Sequence, residues 1–189
     1  MCGGKGTRLE PTSAIEKPLL TVCGQPMLDR VTSALSVARI DTVYAVVSPH
    51  TPETAAHARD VLDLPTIETP GTDYVTDLDC ALSHVDRVLT VAADLPLLDE
   101  KTVNAVLDRS FESDGSLTVC VPVERKRDLG VSVDTMHNGN ERESQRTLAP
   151  SGLNIVADSV DDIMIRDSYR LAVNVNRPRD AQIAEALCD

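Results

Sequence analysis

Two kinds of hydrophobic pattern alternate along this chain. Short runs of apolar and β-branched residues are each followed by a stretch in which apolar residues recur every three or four positions. The first pattern predicts a buried strand, and the second predicts an amphipathic helix. The predicted strands cover residues 19–22, 42–47, 66–69, 87–93, 117–123 and 149–156, and the predicted helices start near residues 27, 53, 73, 99 and 178. This alternation predicts an α/β fold with a three-layer, doubly wound and mostly parallel sheet.

The polar segment 124–147 interrupts the alternation. It contains glycine and asparagine but no clear hydrophobic period, so two interpretations stay open: a disordered surface excursion, or a hairpin or flap over a bound substrate. A regular pattern returns at 149–156, where the embedded Gly152 would let a ligand or another backbone approach closely. We expect residues 1–189 to form a single domain, because a chain of this length suits one hydrophobic core.

The composition is that of an ordinary globular protein. The net charge of −12 opposes a general affinity for nucleic acid or anionic membranes. No apolar run approaches the roughly 18 residues of a membrane span, and no signal peptide is recognisable, so we expect a cytoplasmic protein. Aromatic residues make up only 2%, so aliphatic side chains must build the core, which favours a parallel sheet. The excess of Arg over Lys and of Asp over Glu resembles proteins of salt-loving microbes, or it serves solubility alone.

The cysteine and histidine residues show no spacing typical of a metal site. The cysteines are odd in number and none lies in a CxxC pair, so we expect reduced and mostly buried thiols. The histidines also lack the spacing of zinc ligands, and no Ser lies in a GxSxG elbow, so neither a structural zinc nor a hydrolase triad is expected. The five cysteines are Cys2, Cys23, Cys80, Cys120 and Cys188.

The stretch most informative about function is a glycine-rich loop near the start of the chain. It reads Gly3-Gly4-Lys5-Gly6-Thr7-Arg8 and is followed by Lys17. Its glycines allow several backbone amides to face one anion, and Lys5, Arg8 and Lys17 add positive charge that suits a polyphosphate. The loop matches neither the Walker A pattern nor the GxGxxG of dinucleotide-binding folds. We interpret it as a phosphate cradle, and the alternative is a surface loop that binds nothing.

Other candidate site residues follow predicted strands. Because ligands bind beyond the carboxyl ends of strands in such sheets, we expect the glycine loop, segment 48–51, Gly71-Thr72 and Asp94 to converge. A carboxylate opposite a phosphate loop can hold Mg²⁺ that bridges to phosphate oxygens, which makes Asp94 the metal candidate. Alternatively, Asp94 only caps the next helix. Arg8, Lys17 and a metal at Asp94 would offset the charge that builds on a departing pyrophosphate.

The glycine loop and the Glu-Lys-Pro at 16–18 resemble the signature of the nucleotidyltransferases that activate sugars and cofactors, whose loop reads GGxGTR. The resemblance implies a Rossmann-like nucleotidyltransferase fold in which the loop and Lys17 hold the phosphates of a nucleoside triphosphate and Asp94 holds the metal. The segment 174–180 resembles the last signature of that family, near the acceptor. In the family a buried strand precedes the loop, whereas only two residues precede it here, so the first strand is expected to be truncated.

Three further segments, 48–54, 71–78 and 150–156, narrow the resemblance to the archaeal guanylyltransferases of cobalamin assembly. This resemblance implies GTP as the donor substrate, Mg²⁺ as the metal and a phosphorylated corrinoid as the acceptor. It implies two groups of binding residues, one near guanine and ribose and one near the α-phosphate and acceptor. The first group is Ser48, Pro49, Thr51, Gly71 and Thr72, and the second is Gly152, Asn154 and Asn176.

Several alternatives stay open at this point. Each of these binding residues could instead serve ordinary turn or strand-end structure. The chain could be an enzyme of the same architecture that transfers GMP or CMP to molybdopterin or to a sugar phosphate. It could also be a GTP-binding regulator without turnover, and a homodimer is left open.

Overall fold

A computed structural model describes residues 1–4, 15–83, 87–112, 114–138, 146–157 and 162–188. The helices predicted near residues 27, 53, 73, 99 and 178 are all present. A single turn of 3-10 helix at Lys17–Leu19 precedes them. The α-helices in the described part are α1 (Met27–Ser36), α2 (Pro52–Asp60), α3 (Tyr74–Leu82), α4 (Glu100–Ser110), α5 (Val123–Leu129), α6 (Tyr169–Ala172) and α7 (Pro178–Ala186).

The helix starts follow from local sequence. The Asp73 carboxylate accepts hydrogen bonds from the amides of Val75 and Thr76, and the Asp99 carboxylate accepts one from Thr102, so these two residues cap α3 and α4. Proline occupies the first turn of α2 and of α7, where a missing amide hydrogen costs nothing. None of the helices in the described ranges is long and apolar enough to cross a membrane.

The strands in the described ranges form three hydrogen-bonded groups. A short antiparallel hairpin pairs β1 with β2, a parallel pair joins β3 to β4, and the largest sheet has the order β5-β8-β6-β9, with β7 beside β8. In that sheet β6 and β9 are parallel, whereas β8 runs antiparallel to β5 and β6. The strands are β1 (Thr21–Val22), β2 (Gln25–Pro26), β3 (Ala45–Val47), β4 (Thr66–Glu68), β5 (Arg87–Val91), β6 (Leu117–Pro122), β7 (His137–Asn138), β8 (Thr147–Ala157) and β9 (Asp162–Ile165).

The first two residues connect the parallel pair to the large sheet. The amino group of Met1 donates to the Val91 carbonyl at 2.8 Å, and the Ala93 amide donates to the Met1 carbonyl at 3.3 Å. On the other side, the Cys2 amide donates to the Val46 carbonyl at 2.8 Å. Met1 and Cys2 therefore lie between β3 and β5, where the strand before the glycine loop was expected, and they deliver Gly3 to the edge at which those strands end.

The main core lies between α1, α4 and one face of the large sheet. Each buried aliphatic side chain there contributes about 1.5–3 kcal/mol relative to an exposed one. A smaller core joins α2 to β3, and a third joins α7 to the hairpin through Val22 and Ala184. The main core includes Val31 and Leu35 of α1, Val103 and Val106 of α4, Leu117 and Val119 of β6, and Leu153 and Ile155 of β8.

Helix α5 and strand β9 are among the elements that were not predicted from the sequence. Segment 124–147 is not irregular throughout, because α5 runs over its first residues and ends at Gly130, whose φ of 73° makes the left-handed cap that terminates helices. This helix lacks a hydrophobic period because one of its buried positions is Lys126, which is 4% exposed. The other element, β9, is a four-residue strand that was not among the predicted strands.

The expectation that all the cysteines are reduced is wrong for one pair. Cys23 of the hairpin and Cys188, after the last helix, form a disulfide with a Cα–Cα distance of 5.9 Å. They are 165 residues apart in sequence, so no spacing motif could reveal them. The pair ties the C-terminal helix α7 to the hairpin that follows Lys17.

Candidate functional site

A cavity of about 580 Å³ opens where β3 and β5 end. Its volume lies within the range of small-molecule sites, roughly 300–1,000 Å³. It is bounded on one side by the start of the glycine loop and on the other by the loop after β4. The lining residues include Gly3, Gly4, Lys17, His50, Thr69, Gly71, Thr72, Tyr74, Asp77, Asp94 and Asn176.

Three polar side chains converge on one point of the cavity wall. The Lys17 ammonium donates to Asp94 Oδ2 at 2.6 Å and to Asn176 Oδ1 at 2.8 Å. The side chains of Lys17 and Asp94 are only 19% and 17% exposed, so this ion pair is partly shielded from water. The two acceptor atoms are both hard oxygens directed at a single cation, which is the donor chemistry that Mg²⁺ prefers. Asp94 and Asn176 therefore form a pair that could hold a divalent metal.

The other oxygen of Asp94 is also held. Asn174 Nδ2 lies 3.3 Å from Asp94 Oδ1 and donates to the Ser151 carbonyl at 2.7 Å. The Val175 amide donates to the Asp94 carbonyl at 2.9 Å. Asp94 is thus fixed by the segment that follows α6 and does not cap α4, which Asp99 does.

Asp180 positions Asn176. This carboxylate is 1% exposed and accepts hydrogen bonds from the amides of Asn176 and Arg177 at 3.0 and 2.8 Å. It also accepts from the amide and hydroxyl of Ser132 at 2.8 and 2.7 Å. Four bonds to one buried carboxylate fix the turn before α7, so Asn176 Oδ1 is presented to the cavity by a rigid loop.

Lys17 is anchored through its neighbour. The Glu16 carboxylate accepts hydrogen bonds from the amides of Glu53 and Thr54 at 2.9 and 2.7 Å. These amides belong to the first turn of α2, where unpaired N–H groups and the helix dipole favour a negative charge. Glu16 therefore fixes the chain just before Lys17 against the first turn of α2.

The turn after β3 contacts two of the loops that line the cavity. Ser48 Oγ donates to the Gly3 carbonyl at 2.8 Å, and His50 Nε2 lies 3.0 Å from the Gly71 carbonyl. A Cβ atom on Gly71 would lie 3.0 Å from Ser48 Cβ and 3.0 Å from His50 Cδ2, and the φ of this residue is +70°. Only glycine at position 71 lets the two loops pack this closely.

Two carboxylates accept hydrogen bonds that hold the loop between β4 and α3. Asp77 Oδ1 accepts a hydrogen bond from the Gly71 amide at 2.8 Å. At the N-cap, hydrogen bonds from the Thr76 amide and hydroxyl hold the pKa of Asp73 below its ordinary value. Both carboxylates fix the loop that forms this wall, and neither was predicted as a site residue.

The structure brings together seven of the residues that the sequence singled out. Gly3, Gly4, Lys17, Gly71, Thr72, Asp94 and Asn176 all line the cavity.

The other predicted residues lie elsewhere. Ser48 and Thr51 are buried within the supporting turn, where Thr51 Oγ1 bonds the Ser48 backbone, and Pro49 is exposed. Gly152 and Asn154 lie on β8, outside the lining. At Gly152, where φ is +85°, a Cβ atom would come within 2.9 Å of Ala92 Cβ, so a protein contact accounts for this glycine. Four predicted residues lie outside the described part of the chain, namely Lys5, Gly6, Thr7 and Arg8.

Comparison with known proteins defines the family. Residues 1–130 match the model of the MobA-like NTP transferase domain. The chain belongs to this family. The matched range contains the glycine loop, Lys17 and Asp94, whereas Asn174 and Asn176 lie beyond it.

Individual relatives of this NTP transferase chain support the same conclusion. It is 29% identical to the adenosylcobinamide-phosphate guanylyltransferase of Methanocaldococcus jannaschii, over 99% of this chain and 94% of that protein. It is also 32% identical to the bifunctional protein GlmU of Parvibaculum lavamentivorans, over 63% of this chain but only 27% of GlmU.

A solved structure confirms the predicted fold class. A protein of Bacillus anthracis assigned as a glucose-1-phosphate thymidylyltransferase superimposes with a TM-score of 0.75. The match covers 98% of this chain and 92% of that one at 14% identity, so it establishes the Rossmann-like α/β fold alone.

Proposed function

We propose that this protein transfers GMP from GTP to adenosylcobinamide phosphate, giving adenosylcobinamide-GDP and pyrophosphate in cobalamin biosynthesis. The observation that carries the nucleotidyl-transfer chemistry is the convergence of Lys17, Asp94 and Asn176 at one wall of the cavity, beside Gly3. The choice of acceptor is supported by the likeness to the Methanocaldococcus enzyme, which extends over almost the whole of both chains.

In the proposed reaction no protein atom forms a covalent intermediate. An oxygen of the acceptor phosphate attacks the α-phosphorus of GTP, a new phosphorus–oxygen bond forms, and the bond to the oxygen that bridges to the β-phosphorus breaks. Pyrophosphate leaves with the electron pair of that bond. Positioning and electrostatic stabilisation therefore supply the catalysis, as is usual in phosphoryl chemistry.

The described residues have distinct roles in this proposal. Asp94 and Asn176 would hold Mg²⁺, which supplies charge neutralisation on the phosphate oxygens when it is bound. Lys17 occupies the space between those two oxygens in the structure, so it would exchange them for phosphate oxygens in the complex. Gly3 and Gly4 leave room for the phosphates, and the predicted cations Lys5 and Arg8 would complete the cradle.

The donor base and the acceptor would bind on different sides of this centre. We assign the guanosine to the wall formed by Gly71 and Thr72, which the turn at 48–51 supports. We assign the acceptor to the side of β8. There Asn154 Oδ1 is buried and lacks a hydrogen-bond partner among the described residues. A donor group on the acceptor would satisfy that oxygen, whose desolvation otherwise costs about 1–3 kcal/mol.

A panel of substrates tests the proposed function. Purified protein is mixed with GTP, ATP or CTP and with adenosylcobinamide phosphate, molybdopterin or glucosamine 1-phosphate, and pyrophosphate release is measured with Mg²⁺. We expect release with GTP and adenosylcobinamide phosphate alone. The likeness to GlmU makes a sugar phosphate the second candidate, so release with CTP or ATP and the sugar phosphate, and none with the corrinoid, would contradict the proposal. Tight GTP binding without product for any acceptor would indicate a regulator instead.

A further inference from the structure

A buried lysine lies behind the proposed metal site. Lys126 of α5 is 4% exposed. Its ammonium donates to the Ala172 carbonyl at 2.7 Å and to Asn174 Oδ1 at 2.8 Å. Burial lowers the pKa of Lys126 below its ordinary value, and attraction by Asp94, Asp180 and Asp134 opposes this effect. A buried ammonium is costly to desolvate, so we expect Lys126 to have a function that outweighs this cost.

The hydrogen bonds of Lys126 determine how the Asn174 amide is oriented. A lysine ammonium can only donate, so the amide atom that faces it must be Oδ1. The opposite atom, Nδ2, then faces Asp94 Oδ1 and the Ser151 carbonyl, which can only accept. Reversal of the amide would set the NH₂ group against the ammonium and the amide oxygen against a carboxylate. The hydrogen bonds of Lys126, Asn174 and Asp94 can therefore all form in only one orientation of the Asn174 amide.

We infer that Lys126 is a positioning residue of the catalytic site, which acts on Asp94 through Asn174. Lys126 fixes Asn174, and Asn174 fixes Asp94 Oδ1. The other oxygen of Asp94, Oδ2, is thereby directed at the point that it shares with Asn176. The bond from Lys126 to Ala172 also fixes the start of the segment that carries Asn174 and Asn176. The inference deepens the proposed function and rests on its assignment of Asp94 and Asn176 to the metal.

Metal affinity gives a test that does not require turnover. Mn²⁺ binding to the whole protein is measured by electron paramagnetic resonance without nucleotide, for wild type, Lys126→Met, Asn174→Ala and the double variant. Removal of a group that orients a metal ligand typically costs about 10–100-fold in affinity. We expect each single variant to weaken Mn²⁺ binding by at least about tenfold, and the double variant to be no weaker than the singles, because both residues act in one chain of contacts.

The matched control is Lys101→Met, which removes an exposed lysine from α4 and should leave Mn²⁺ affinity unchanged. Thermal unfolding establishes that each variant is folded. If Lys126→Met does not fold, Asn174→Ala carries the test, because it leaves the bond from Lys126 to Ala172 in place. A folded Lys126→Met or Asn174→Ala protein with wild-type affinity would overturn the inference, as would a wild type that binds no Mn²⁺, or losses that multiply in the double variant.

Kinetics separate this role from a merely structural one. With GTP and adenosylcobinamide phosphate, Lys126→Met should lower kcat while the KM of the acceptor stays near wild type, and raised Mg²⁺ should recover part of the loss. A rise in the acceptor KM with kcat unchanged would contradict a role through Asp94. Absence of turnover in the wild type would contradict the proposed function and leave the Mn²⁺ result for Lys126 standing.

Discussion

At the scale of single residues, the site depends on oxygens and one ammonium that arrive from distant parts of the chain. Lys17 and Asp94 are 77 residues apart, and Lys17 and Asn176 are 159 apart. Lys17 is held through Glu16, which bonds the start of α2, and Asn176 is held through Asp180, which bonds the turn before α7. Preorganisation of this kind lets the charges act without rearrangement during the reaction.

Alanine substitutions at two glycines test whether the cavity wall at Gly71 contacts the nucleotide. Gly71 and Gly24 both have left-handed backbone, with φ of 70° and 76°, but only at Gly71 would a Cβ atom meet other residues within 4 Å. Alanine at either position adds a backbone strain of about 1–2 kcal/mol. We expect Gly71→Ala to raise the KM for GTP about tenfold or more, because it also displaces the cavity wall. Equal GTP KM values for Gly71→Ala and Gly24→Ala would show that the wall does not contact the nucleotide.

Residue types at strand ends were the most predictable part of the site. Asp94 could be proposed because the fold class alone places the ends of parallel strands together, and Lys17 could be proposed because it follows the glycine loop. Asn174 and Lys126 could not be proposed in the same way, because their contact joins residues 48 apart in sequence. Ser48 and Thr51 match a family-like segment, yet in the structure the Ser48 hydroxyl donates to the Gly3 carbonyl and the Thr51 hydroxyl donates to the Ser48 carbonyl. A sequence pattern does not distinguish such bonds from ligand binding.

At the scale of elements, alternation of the two hydrophobic periods was enough to predict most helices and strands. The features that were not predicted have physical causes. Helix α5 is only seven residues long and buries an ammonium, so it shows no apolar stripe. The long strand β8 was located from its apolar run, but its antiparallel direction depends on the connection from α5, which hydrophobic pattern does not encode.

The link between α7 and the β1–β2 hairpin gives an element-scale prediction. A disulfide that closes a loop of 165 residues stabilises the fold by up to about 5 kcal/mol through the unfolded chain. We expect Cys188→Ser to lower the free energy of unfolding in urea without reductant, and reductant to lower the wild type to the same level. Cys80→Ser, which lies outside the disulfide, is the control.

A thiol count provides the independent check on that bond. The denatured wild type should show two fewer reactive thiols before reduction than after it. An identical count in the two samples, or equal unfolding energies for Cys188→Ser and the oxidised wild type, would show that Cys23 and Cys188 are not bonded.

At the scale of the whole molecule, the fold brings Lys17 and the start of the glycine loop to one cavity of an acidic protein. The net charge of −12 repels polyanions in general, so a triphosphate must be bound by local groups. Met1 and Cys2 make this possible, because they hydrogen-bond to both β3 and β5 and bring Gly3 to within reach of Asp94 at one edge. The same arrangement leaves β8 on the side that we propose for the acceptor.

The rate of pyrophosphate release from GTP and adenosylcobinamide phosphate tests the central claim most directly. It is compared among wild type, Lys17→Ala, Asp94→Ala and Asp60→Ala, the last being an exposed carboxylate at the end of α2. We predict that Lys17→Ala and Asp94→Ala each lose about 100-fold or more in turnover while they stay folded, because charge stabilisation of the departing pyrophosphate is lost. Asp60→Ala should match the wild type. Near-full activity of folded Asp94→Ala would contradict the assignment of this cavity as the site of nucleotidyl transfer.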